Sequence, residues 1–103
     1  MLLTTTNNVE GHAILKYYGI VSKEVILGAN VFKDFMASVR DVFGGRSGAY
    51  EKVLQKGKEA ALQEISHQAE SMGANAIVAI DLDYETIGNM LMVTASGTAV
   101  KIE

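Results

Sequence analysis

The sequence predicts an α+β domain, and three observations carry that class. Strand-like stretches rich in β-branched residues sit at both ends of the chain, two apolar stripes of helical period occupy its middle, and Gly73 divides the second stripe from a closing hairpin. The element order they give is β-β-α-α-β-β. The sheet is expected to be mainly antiparallel, with the helices on one face.

Met1 to Thr6 reads as a short β-type run, and Asn7-Asn8 with Glu10-Gly11 as a turn. From His12 to Gly28 the chain is dense in Ile, Val and Tyr, with Gly19 and Ser22-Lys23 as bend or bulge points. It reads as one long bent strand or two short ones. Asn30 is placed to cap a first helix, since its side-chain oxygen can accept a first-turn N–H. That helix is expected to run to about Phe43, with Val31, Phe32, Phe35, Met36, Val39, Val42 and Phe43 on one face.

The run Gly44-Gly45-Arg46-Ser47-Gly48 breaks the first helix, and a second is expected to start near Tyr50. Its stripe of Tyr50, Leu54, Gly57, Ala61, Ile65, Ala69 and Met72 advances at about 3.7 residues per step, close to the ~3.6 of an α-helix. Gly57 and Ala61 make the stripe shallow, so the helix should lie close against a sheet. Gly73 is the helix stop. Ala74 to Glu85 and Leu91 to Ile102 then form an antiparallel hairpin around Gly88-Asn89.

At 103 residues, with no repeat, linker or proline, the chain 1–103 reads as a single domain. With glycine counted in and tyrosine out, about 55% of it is apolar against a usual ~45–50%. A small domain cannot bury that surplus alone, so a subunit interface is expected, most simply in a closed ring that also covers the strand edges. Net charge −3 without a basic run argues against nucleic acid as partner. No charged start with an apolar h-region and no long apolar stretch is present, so neither a signal peptide nor a membrane span is expected. The absence of cysteine removes disulfides and thiolate chemistry and fits a cytoplasmic protein.

Three constellations bear on chemistry. Asp81, Asp83 and Glu85 alternate along a strand, so all three carboxylates leave one face. Their repeat of about 6.6 Å is wide for one cation unless another strand or subunit helps; otherwise they form a solvated face that discourages edge aggregation. A hard cation such as Mg²⁺, Mn²⁺ or Ca²⁺ is the ion such oxygens would take. Glu64 and His67 at i, i+3 resemble half of a helical carboxylate metal site, with Zn²⁺ as the competing ion, though the helical wheel puts His67 on the polar face. Gly44, Gly45 and Arg46 could cradle an anion with backbone N–H groups and a guanidinium, or simply turn the chain between helices. Ser47 has no evident base, and His12 no evident Ser or Asp partner, so a catalytic residue cannot be named.

Several segments together make the chain resemble the bacterial YbjQ family, which carries a heavy-metal-binding label. They are Asp34, Gly44-Gly45-Arg46, Tyr50-Glu51, Ala69 to Val78, Asp81 to Glu85 and Gly97-Thr98-Ala99-Val100. The resemblance covers essentially the whole chain. It implies a two-layer subunit that assembles as a ring, with a pentamer as the expected homo-oligomer, and it implies no reaction and no catalytic residue. Soft metals favour thiolate or clustered imidazole, and this chain offers no Cys and two His on different elements. Three functional classes follow. The favoured one is a non-enzymatic, cytoplasmic homo-oligomer that binds a small ligand or a metal ion. The alternatives are an enzyme with Asp81, Asp83 or Asp34 acting beside Arg46 across subunits, and a purely structural ring.

Overall fold

The computed structural model describes residues 1–28, 47–88 and 90–103. They form β1 (Leu2–Leu3), β2 (Ile14–Leu27), α1 (Ser47–Met72), β3 (Ala76–Ile87) and β4 (Met90–Ile102). The described order is therefore β-β-α-β-β in place of the expected β-β-α-α-β-β; the helix expected from Asn30 to Phe43 lies outside the described residues. The four strands make one mixed sheet in the order β1-β3-β4-β2. β3 and β2 both run antiparallel to β4, and β1 pairs in parallel with β3.

Element ends depart from expectation for local reasons. The regular β1 ladder stops at Leu3 although the backbone beyond it still bonds β3: the Thr4 N–H donates to the Ile77 carbonyl at 3.0 Å, and the Thr4 and Thr6 carbonyls accept from Ile80 and Ala79 at 3.1 and 2.8 Å. The Thr6 N–H turns instead to Thr4 Oγ1 at 3.1 Å, and Thr6 Oγ1 donates to the Asn8 carbonyl at 2.6 Å. β2 is one strand of 14 residues with register shifts between Ile14 and Lys16 and between Tyr17 and Gly19. Gly19 takes a φ of +124°, which admits the second shift. The hairpin closes from Ile87 to Met90, with Gly88 at φ +62° supplying the left-handed turn residue.

The end of α1 is a Schellman motif. The Gly73 N–H bonds the Glu70 carbonyl and the Ala74 N–H bonds the Ala69 carbonyl, each at 3.0 Å, with Gly73 at φ +96°. Ala74 is thereby spent on the cap, and β3 begins at Ala76 instead of Ala74. Asn75 then ties three elements together. Its backbone N–H reaches the Val100 carbonyl at 3.0 Å, its carbonyl accepts from Leu2 at 3.2 Å, and its side-chain amide bonds both the carbonyl and the N–H of Ile102, at 2.9 and 2.7 Å.

The core lies between α1 and the sheet. Ala61, Ile65 and Ala69 of the helix are fully buried against Val21, Ile77, Ile80, Val93, Ala95 and Ala99. The stripe is shallow as its composition predicts: a Cβ on Gly57 would lie 2.7 Å from Val93 Cγ2. A smaller cluster of Ala76, Val78 and Val100, joined by Val9, Ile14 and Ile102, occupies the opposite face of the sheet.

One residue decides which face the acidic strand presents. Alternation from the core residue Ile77 would carry positions 79, 81, 83 and 85 toward the helix. Instead β3 carries one extra residue between Val78 and Asp81, and Ala79 sits at φ +55°. This bulge flips the phase, so Ile80 and Leu82 join Ile77 in the core while Asp81 pairs across from Ser96 and Asp83 from Thr94. The crowding it creates falls on Gly97. A Cβ there would meet Ile77 Cγ2 at 2.6 Å, Ile80 Cγ1 at 3.1 Å and the Val78 carbonyl oxygen at 3.2 Å.

Candidate functional site

On the face away from α1, the strand registers assemble side chains into rows. One row is Ser22, Ser96 and Asp81; the next is Glu24, Thr94 and Asp83; the third is Ile26, Met92 and Glu85. Asp81, Asp83, Glu85 and Glu24 are all exposed. The centre of this face is a hydroxyl-lined column with carboxylates on either side. Among the described residues, no three His, Cys, Asp or Glu side chains are grouped so as to hold a metal ion.

Glu64 and His67 are both exposed on α1. The structure gives a distinct task to the next residue, Gln68. Its amide nitrogen donates to the Ser22 carbonyl at 2.9 Å, and its oxygen accepts from the Ser22 N–H at 3.3 Å. A helix side chain thus caps the outer edge of β2 as a neighbouring strand would. Sequence reasoning missed this contact because Gln68 lies 46 residues from Ser22. Gly44, Gly45, Arg46 and Asp34 lie outside the described residues, and Ser47 is the first residue of α1.

A fourth place emerges only in the fold. Val9 and His12 form an isolated bridge in which the His12 N–H bonds the Val9 carbonyl at 3.1 Å, and Gly11 at φ +81° makes the turn between them. The turn is held against the end of β4, where the Glu103 N–H donates to the Ala13 carbonyl at 3.0 Å. His12 Nδ1 lies 2.8 Å from the backbone oxygen of Glu103. A carbonyl oxygen only accepts, so Nδ1 carries the proton and, in the neutral ring, Nε2 is left as the acceptor. These residues line an open depression of about 840 Å³, together with Asn8, Glu10, Ala13, Ile14 and Tyr17. The sequence signal for it was the Glu10-Gly11 turn before a histidine; the partner, Glu103, is 91 residues away.

Comparison with known proteins places the chain in a family. A family model described as "Putative heavy-metal-binding", the YbjQ family, matches residues 1–103. The chain belongs to that family. Among solved structures, it is similar to a crystal structure from Pediococcus pentosaceus of a protein of unknown function assigned to the DUF74 family. The match has 15% identity and a TM-score of 0.63, and covers 100% of this chain and 98% of that one. At that identity it shows a shared fold.

Proposed function

We propose that the chain is a non-enzymatic subunit of a cytoplasmic homo-oligomer that binds a small ligand in the depression around His12. The observation that carries this reading is the 2.8 Å bond from His12 Nδ1 to Glu103, which fixes the ring and its tautomer on a residue lining the depression. A few positioned polar groups in a concavity are what a small-molecule site requires. None of the lining residues is Ser, Thr, Cys or Lys; the reactive side chains there are those of Glu10, His12, Tyr17 and Glu103. Membership in a family described as heavy-metal-binding supports a metal ion as the second reading, with imidazole and carboxylate as the available donors.

Assembly is supported by the sheet edges. Among the described residues β2 is an edge strand whose outer side is capped at Ser22 alone, and it exposes Leu15, Ile20 and Ile26. On the other side of the sheet, β1 covers β3 only at Ala76 and Ile77, with Thr4 and Thr6 bonding Ile80 and Ala79 beyond it. β2 carries Lys16 and Lys23 against one Glu24, while β3 carries Asp81, Asp83 and Glu85. Unlike edges of unlike charge on opposite sides of one subunit suit head-to-tail joining, which closes into a ring when the rotation per subunit permits. Five subunits are the expectation from the family resemblance. Native mass spectrometry and sedimentation at micromolar concentration test the assembly, and a monomer would overturn it. Amide-shift mapping with small ligands tests the site: perturbation should centre on Gly11, His12, Ala13 and Glu103.

A further inference from the structure

We infer that the depression around His12 selects a small organic cation, an amine or guanidine bearing N–H donors. The inference rests on the reading of that depression as the binding place and names the chemical class it takes. Three observations converge. First, the lining carries two carboxylate residues, Glu10 and Glu103, and no Lys or Arg, so a cation is favoured and an anion repelled. Second, in the neutral ring the polar atom left on His12 is a hydrogen-bond acceptor, because Nδ1 donates to Glu103. It can receive an N–H from a ligand and gives nothing to an anion in that tautomer. Third, Tyr17 lines the same depression with about two-thirds of its surface exposed (67%), so its ring is open to a cation.

The open depression has room for an organic cation. A depression of about 840 Å³ is within the ~300–1,000 Å³ of small-molecule sites. The described residues also lack the three grouped side chains that would hold a metal. The turn is built rigidly enough to present these groups together: Gly11 fixes its left-handed corner, the Val9–His12 bridge closes it, and Glu103 is tied to Ala13.

The test is amide and imidazole chemical-shift mapping on the full chain with 1,4-diaminobutane as probe, and succinate, 1,4-butanediol and ZnCl₂ as comparators. The diamine should shift His12 Nε2 and the Gly11, His12 and Glu103 amides saturably, and the diol and succinate should not. Glu10→Gln combined with Glu103→Gln should weaken the diamine roughly tenfold, as two exposed charge contacts are lost. His67→Ala should leave binding unchanged. Both glutamates are exposed, so the remainder of the spectrum reports that the double variant stays folded. If succinate or Zn²⁺ shifts these signals and the diamine does not, the cation inference fails while the binding place stands. If no probe shifts them, both fail. Diamine shifts that ignore the glutamate substitutions, or that map to Asp81 and Asp83, also overturn the inference.

Discussion

The two ends of the β3–β4 hairpin differ in how they are held. At the end nearest the helix stop, Ala76, Ile77, Ala99 and Val100 are fully buried, and Asn75, Gly73 and Gly97 lock helix, strands and bulge together. Toward the tip the two strands part company: every β3 residue from Asp83 to Ile87 is exposed, with Tyr84 and Ile87 keeping 44% and 50% of their surface, while Leu91 and Val93 opposite them on β4 stay buried. The registers are continuous from Asp81 to Ile87, so backbone pairing is equally regular there. Stability therefore differs along one ladder through side-chain burial and backbone fit, and hydrogen bonding between strands is not what separates its ends.

Substitutions can break or sharpen that contrast. Gly97→Val should have the largest effect, a loss of about 3 kcal/mol in denaturant unfolding, because the new Cβ meets both Ile77 and the rigid Val78 carbonyl. Gly57→Leu should lose roughly 1–3 kcal/mol through the clash with Val93, offset by up to ~1 kcal/mol of helix propensity. A raised melting temperature would mean that this helix face does not contact the sheet. Asn75→Ala removes both side-chain bonds to Ile102 and should cost about 1–2 kcal/mol, with amide exchange accelerated at Ile102.

Ala79→Gly tests the bulge from the other direction. Relief of the positive φ should raise stability by about 0.5–1 kcal/mol, and a loss would mean that the strain is absent. At the exposed end, Asp83→Asn should change stability by less than about 0.5 kcal/mol, since its side chain is solvated. A large loss there would show that the tip is buried in an assembly, erasing the difference between the two ends for the protein in solution.

Much of the described fold is legible in the residues. Gly73 marks the helix stop, Gly57 and Ala61 mark the shallow stripe, and Gly88 marks the hairpin turn. Each of these is a local consequence of backbone freedom or side-chain period. The candidate site was only half legible. Glu10-Gly11-His12 is visible as a turn, but the oxygen that fixes the imidazole belongs to Glu103, and no spacing rule links positions 91 residues apart.

By itself the sequence determined the α+β class, the helix from the glycine run to Gly73, the antiparallel closing hairpin and the acidic alternation of Asp81, Asp83 and Glu85. Tertiary structure alone decided which face that alternation takes, because a bulge at Ala79 is stable only where Gly97 makes room on the neighbouring strand. It also decided the parallel pairing of β1 with β3, the capping of β2 by Gln68 and the anchoring of His12. Local pattern records what one segment prefers; register, phase and long-range pairing are set by what two segments leave free for each other once both are folded.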